Sequence, residues 1–142
     1  MRALISRMFA LGITVVLAAC GGDDGFEPSV ETVAGSYAAS TFTVTTPAGA
    51  ANLLATGALV SVTLAADGTK TGRLFVPNGA DDGSDLDEDL AGTWSLSGST
   101  VTFNQGADTF LRDVQFTASQ NQLTSEGEFN GVTIHVVLTK GQ

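Results

Sequence analysis

Six acidic residues fall within nine positions, and carboxylates at this density are the ligands that a hard cation such as calcium prefers. The six are Asp81, Asp82, Asp85, Asp87, Glu88 and Asp89. Asp85, Asp87 and Asp89 repeat at every second position, which is the spacing of the first ligands in a calcium-binding loop. That motif also needs glycine and glutamate where this chain has Leu90 and Leu96. The cluster therefore has two interpretations, a calcium site or a solvated hairpin loop.

The residue types needed for nucleophilic or metal-assisted catalysis are scarce. His135 is the only histidine and Cys20 is the only cysteine, which is a poor set of ligands for a metal centre. No serine lies in a Gly-x-Ser-x-Gly motif, and no second histidine could activate one. His135 alternates with Ile134 and Val136, so it is expected on the outer face of its strand. We therefore predict no enzymatic activity, no catalytic residue and no cofactor.

The first nineteen residues have the layout of a secretory signal. Arg2 and Arg7 form a basic start, and an apolar core ten residues long follows at positions 8–17. Ten residues span only about 15 Å as a helix, roughly half of a bilayer core, which argues against a permanent membrane span. The small residues Ala18 and Ala19 then precede Cys20. The pattern predicts a signal peptide over residues 1–19.

Residues 17–20, Leu-Ala-Ala-Cys, resemble the lipobox of bacterial lipoproteins. The resemblance implies that the Cys20 thiol takes a diacylglycerol and that the signal is cut just before it. The new amine would then be acylated with a fatty acid such as palmitate. Two or three acyl chains anchor a protein stably, whereas one alone holds it only marginally. Gly21 follows the cysteine. In this family that residue points to the outer membrane, so we expect a lipid-anchored protein that faces the periplasm.

Composition limits the partners of the mature chain. Fifteen acidic residues face six basic ones, and two of the six belong to the predicted signal. This charge disfavours nucleic acid and anionic lipid as partners of the folded domain. Residues 20–32 are rich in Gly, Asp and Glu, and they are predicted to be a flexible tether that reaches at most about 35 Å. Residues 33–142 are then long enough for one domain, and since Cys20 is the only cysteine of the chain, this domain has no disulfide and must be stabilised by an apolar core.

Short alternating runs of apolar and polar residues predict an all-β domain. Eight runs are visible from Gly35 onward, and most are joined by short turns such as Asp67-Gly68 and Asn130-Gly131. Short turns make sequential strands antiparallel. We predict an eight-stranded up-and-down barrel, with a β-sandwich as the alternative. Its aromatic core residues are expected to be Phe42, Phe75, Trp94, Phe103 and Phe116.

Two segments depart from the alternating pattern. Ala48 to Thr56 is rich in Ala and Leu, and it is expected to form one or two helical turns at one end of the barrel. Asp108 to Leu111 is expected to form another turn. Such turns would either close the core or cover the mouth of a ligand site. Arg73 and Arg112 are expected to pair with acidic residues or to lie at a barrel end.

The strand order, the Gly35-Ser36-Tyr37 opening and the Gly92-Thr93-Trp94 motif resemble the lipocalin-like (calycin) superfamily. The segment around Trp94 is also similar to the opening of small barrel inhibitors of bacterial metalloproteases. The first resemblance implies a binding module for a small apolar ligand or an envelope protein. The second implies a structural or interaction lipoprotein with a filled core. These two functions are kept as alternatives.

Overall fold

A computed structural model describes residues 26–105, 111 and 114–141. Helix α1 spans Val30–Val33, and the strands are β1 (Gly35–Thr46), β2 (Gly49–Asn52), β3 (Leu59–Leu64), β4 (Thr69–Val76), β5 (Leu86–Asp89), β6 (Gly92–Ser97), β7 (Thr100–Gln105), β8 (Gln115–Ser119), β9 (Gln122–Phe129) and β10 (Val132–Lys140). A 3₁₀ helix at Leu53–Thr56 lies between β2 and β3. The signal region, Cys20, residues 108–110 and Arg112 lie outside the described residues.

Eight antiparallel strands close into a barrel. Neighbouring strands in the barrel follow the order β1, β3, β4, β6, β7, β8, β9 and β10, and β10 pairs with β1. Closure comes from β1 and β10, which pair from Tyr37–Lys140 to Thr45–Thr133 with one bulge at Ser40. Asn130 and Gly131 both have positive φ, as a type I′ hairpin turn requires. The predicted all-β barrel is confirmed, and the sandwich alternative is not observed.

Helix α1 covers one end of the barrel, which we call the helix end. Ser29 caps the helix by accepting a hydrogen bond from the Thr32 backbone N–H, and Val33 is fully buried. The Tyr37 hydroxyl donates to the Val33 carbonyl at 2.6 Å, and burial raises the pKa of Tyr37. Residues 30–32, which belong to the segment predicted as tether, are part of this helix.

Inward side chains of all eight barrel strands fill the interior. The buried apolar residues of the barrel and its ends include Val33, Tyr37, Phe42, Val60, Val62, Leu64, Leu74, Leu90, Trp94, Val101, Phe103, Leu111, Phe116, Leu123, Ile134, Val136 and Leu138. The rings of Phe103 and Phe116 pack with centroids 4.9 Å apart. Trp94 lies toward the helix end and donates its indole N–H to the Ala65 carbonyl.

Phe75 was predicted in the core, and that prediction is wrong. On β4 the buried positions are Lys70, Leu74 and Val76, so the alternation places Phe75 on the outer face. There it lies opposite Leu59 of β3, and the Arg73 guanidinium lies 5.3 Å from its ring centroid. The outward position is stabilised by this cation–π contact rather than by core packing.

Two short strands, β2 and β5, are additional to the barrel. β2 pairs only with β1, and β5 pairs only with β4. The segment Ala48 to Thr56 was expected to be helical, but its first half forms β2 because a two-residue turn folds it back on β1. Only its second half is helical, as the 3₁₀ helix. No helix among the described residues is long and apolar enough to cross a membrane.

Candidate functional site

An open cleft of about 590 Å³ lies at the end of the barrel opposite α1, and we call it the rim cleft. Its walls are mostly apolar and come from the end of β1, from β2, and from the end of β4 with the turn that follows. The lining residues are Val44, Thr46, Ala48, Gly49, Ala50, Ala51, Leu53, Val76, Pro77, Asn78 and Gly79. The volume is within the range of small-molecule sites. The rim cleft is therefore the strongest candidate for binding among the described residues.

The rim cleft exists because β1 is longer than its neighbour β3. On one edge β1 pairs with β3 over Gly35–Ala38 and with β2 over Thr43–Thr46. The last contact of β3 with β4 is Leu59 with Phe75, so β4 runs past the end of β3. β2 and the end of β4 thus face each other across a gap in the barrel wall.

Local sequence shapes both sides of this gap. The Asn52 side chain accepts from the Leu54 backbone N–H at 3.1 Å and so caps the 3₁₀ helix. Gly57 ends that helix with φ of 100°, a conformation that other residues rarely adopt. A Cβ at Gly57 would lie 3.4 Å from Pro77. The C-terminal end of the 3₁₀ helix and the turn after β4 are therefore packed closely beside the cleft.

The loop that leaves the cleft wall carries three carboxylates. Asp85 accepts a hydrogen bond from the backbone N–H of Asn78, a cleft residue, at 3.0 Å. Asp82 accepts from the backbone and hydroxyl of Ser84, and these bonds lower the pKa of Asp82. Asp81 is exposed. We call residues 80–85 the acidic loop, and among the described residues none of its carboxylates forms an ion pair.

The three residues of the predicted calcium site have separate partners. Asp85 bonds to Asn78, Asp87 forms a bidentate ion pair with Arg73 at 2.7 and 2.8 Å, and Asp89 accepts from the Ala91 backbone. The ion pair lowers the pKa of Asp87. Within the described ranges, no three acidic, histidine or cysteine side chains are grouped to hold a metal. The calcium site stays a prediction, which a calcium titration of the melting temperature would test.

Lys70 is a charged residue inside the barrel, and its side chain is 2% exposed. Its ammonium donates to the Leu90 carbonyl and, at 2.5 Å, to Oε1 of Gln105, and it lies 5.0 Å from the ring centroid of Phe103. Burial lowers the pKa of Lys70 to about 8, and the charge of Asp89 opposes this shift. Sequence reasoning missed Lys70, although it continues the inward series of Gly72, Leu74 and Val76.

The Lys70 contacts reinforce a weak seam in the barrel. β4 and β6 share only two residue pairs, Thr69 with Thr93 and Lys70 with Gly92. Leu90 lies at the bend between β5 and β6, and Gln105 ends β7. The ammonium therefore joins β4 to two other chain segments through the interior. Because the ammonium donates to two acceptors and also lies against the Phe103 ring, we interpret Lys70 as a structural group.

A second groove, of about 440 Å³, lies between β8 and β9 and is lined mainly by polar atoms. These strands pair only from Thr117–Thr124 to Ser119–Gln122, and beyond Thr117 they separate. Glu126 and Glu128 border the groove. Its polar lining makes it a weaker candidate for an apolar ligand than the rim cleft.

The remaining sequence-predicted residues are distributed over the molecule. His135 lies on the outer face, as predicted, with Nδ1 3.4 Å from Oε2 of Glu126. Arg73 forms an ion pair with Asp87, which agrees with one of the two alternatives expected for it. Cys20 and Arg112 lie outside the described residues. The rim cleft residues were not singled out as a site, and only the Ala/Leu-rich pattern of Ala48 to Thr56 pointed to that end of the barrel.

Comparison with family models, with curated protein sequences and with solved structures gave no match for this chain. The fold itself, a small closed antiparallel barrel of eight strands, is compatible with a lipocalin-like barrel. Barrels of this size serve as binding modules.

Proposed function

We propose that this chain is an outer-membrane lipoprotein, anchored through Cys20, whose barrel binds an apolar group in the rim cleft. The observation that carries the proposal is the cleft itself, an apolar-walled gap of about 590 Å³ at one end of the barrel. The lipobox-like residues 17–20 support the anchor. The ligand enters at the rim, because large side chains such as Phe42, Phe103 and Phe116 occupy the barrel centre.

The N-terminal part of the described chain and the rim cleft lie at opposite ends of the barrel. The described chain enters the barrel through α1 at the helix end, and eight residues lie between Cys20 and Ser29. Those residues reach at most about 30 Å. We propose that the helix end lies nearer the anchoring membrane and that the rim cleft opens at the other end of the barrel.

Filling the rim cleft tests the proposal. Ala51 is exposed and lies opposite Val44, so Ala51→Trp places an indole in the cleft without changing a buried position. A small apolar aryl diazirine, photoactivated with the detergent-solubilised protein, is expected to label residues 44–53 and 76–79. Labelling there should fall at least fivefold in Ala51→Trp.

Ala38→Trp is the matched control, because Ala38 is exposed on the outer face of β1 toward the helix end. It should label like the wild type. Equal labelling of all three proteins at the cleft, or labelling spread evenly over the barrel surface, would contradict the proposal.

The apolar group bound in the rim cleft could also belong to a partner protein rather than to a small molecule. Leu59 is 45% exposed and lies beside Phe75 on the outer face near the rim. The filled interior also favours contact at the rim over enclosure of a free ligand. This candidate corresponds to the interaction lipoprotein with a filled core.

A further inference from the structure

β2 presents a free strand edge to the rim cleft. In the β1–β2 hairpin, Thr46 pairs with Gly49 across a two-residue turn, and Val44 pairs with Ala51. Hydrogen-bonded and non-bonded pairs alternate in an antiparallel ladder, so the backbone N–H and C=O of Ala50 point to the opposite edge. Ala50 lines the cleft, and among the described residues its backbone groups have no hydrogen-bond partner on that edge.

The side chains of β2 leave this edge accessible. Gly49, Ala50 and Ala51 are all small and exposed, so another backbone can approach closely. Free strand edges are usually blocked by charged side chains, by proline or by a covering element. Here the nearest facing element is Val76–Gly79, which forms the opposite wall of the cleft. The gap between these two elements is therefore bordered by the free edge of β2 on one side and by the turn after β4 on the other.

The charge beside this edge is negative. The acidic loop continues directly from the cleft wall, and Asp85 is bonded to the cleft residue Asn78. Arg73, the nearby exposed cation, is already paired with Asp87. An anionic amphiphile such as a fatty acid would be repelled here, whereas basic side chains would be attracted.

From these three observations we propose that the rim cleft docks an extended polypeptide segment, which adds as a strand to the free edge of β2. Alternate side chains of an added strand point to opposite faces. Apolar side chains of the segment enter the cleft, and basic side chains lie toward the acidic loop. This inference rests on the proposed function, because it names the source of the apolar group bound in the rim cleft.

Binding of a defined peptide tests the charge pattern. The probe is a fluorescein-labelled, capped peptide of five residues that alternates valine and lysine, and its counterpart alternates valine and glutamate. Fluorescence polarisation with the detergent-solubilised full chain should show saturable binding of the lysine peptide, at least tenfold tighter than the glutamate peptide. Affinity should fall as salt is raised, because exposed charges are screened.

A triple variant, Asp81→Asn, Asp82→Asn and Asp85→Asn, removes three charges from the acidic loop. Asparagine keeps the side-chain oxygens that accept from Ser84 and Asn78, so the loop should keep its fold. We expect at least fivefold weaker binding of the lysine peptide. The matched control, Glu27→Gln, Glu31→Gln and Asp67→Asn, removes three charges at the helix end and should bind like the wild type. Equal weakening by both variants would overturn the charge argument.

N-methylated peptides test strand addition. A strand directs alternate N–H groups to opposite edges, so methylation of one alternate set should abolish binding and methylation of the other should leave it unchanged. Equal affinity of the two methylated peptides would exclude strand pairing. If no peptide binds while Ala51→Trp still blocks photolabelling of the cleft, this inference fails and the proposed function stands. If photolabelling also fails, both are wrong.

Discussion

At the scale of single residues, Lys70 shows how the barrel accommodates a buried charge. Its ammonium has lost most of its water and has gained the Leu90 carbonyl, the Gln105 side chain and the face of Phe103. These contacts compensate only in part, since burial still lowers the pKa of Lys70 to about 8. The folded state therefore binds this proton less tightly than the unfolded state does.

We predict that stability rises between about pH 8 and 10.5 through Lys70. In that interval the unfolded chain keeps a proton that the folded chain has released, so the free energy of unfolding increases with pH. Below pH 8 the burial cost is present in full. The rise is at most about 3 kcal/mol. Urea unfolding at pH 7 to 10 should show this rise in the free energy of unfolding in the wild type. The variant Lys140→Met, which loses a lysine elsewhere in the barrel, should show the same rise.

The rise should be absent in Lys70→Met, which keeps most of the length of the side chain and removes its charge. Burial raises the pKa of the Tyr37 phenol, which lowers stability only above pH 10 and therefore outside the interval measured. A parallel rise in Lys70→Met would contradict this explanation of the buried lysine.

At the scale of elements, the barrel strands could be predicted from sequence and the two short strands could not. Val60, Val62 and Leu64 alternate with polar residues, and this pattern alone determines which face is buried. β5 has a sequence of Leu, Asp, Glu and Asp, which has low strand propensity. It forms because its backbone pairs with β4 and because Asp87 pairs with Arg73.

The candidate site was beyond sequence reasoning for a related reason. The rim cleft depends on the relative lengths of β1, β3 and β4, and strand length is set by pairing rather than by local pattern. Phe75 shows the same limit, since β4 carries an apolar residue on both faces near its end. Tertiary contacts with Leu59 and Arg73 decide which face is outside.

The close approach of β6 to β7 at Gly92 gives a prediction for this residue. A Cβ there would lie only 2.1 Å from the Asn104 carbonyl oxygen, which is backbone and cannot rotate away. Gly92→Ala should therefore lower the free energy of unfolding by about 1–3 kcal/mol, as overpacking does in other cores. Urea unfolding measures this directly.

Gly127→Ala is the control, because its Cβ would meet Val114 at 3.7 Å, an ordinary contact distance. It should change stability by less than about 0.5 kcal/mol. Similar stability of the two variants would contradict the close approach of β6 and β7 at Gly92.

At the scale of the whole molecule, the two ends of the barrel are built differently. α1, Tyr37 and Lys140 close the helix end, where the Lys140 ammonium donates to the Thr32 carbonyl. The opposite end keeps the gap between β2 and β4 open. We interpret this polarity as an anchored end and a binding end.

The anchor is tested by replacing the one residue that carries it. Cys20→Ser removes the thiol that would take the diacylglycerol. We expect the wild type in the outer-membrane fraction after cell fractionation and no mature lipidated form of the variant by mass spectrometry. A variant with the same mature mass and the same outer-membrane yield as the wild type would rule out lipidation at Cys20.

The most direct test of the central claim is native mass spectrometry of the protein taken from its own membranes. We predict that the wild type and Ala38→Trp retain a bound molecule or polypeptide and that Ala51→Trp, with its rim cleft filled, does not. The same bound species on Ala51→Trp, or none on any of the three proteins, would contradict the claim that the rim cleft is the binding site.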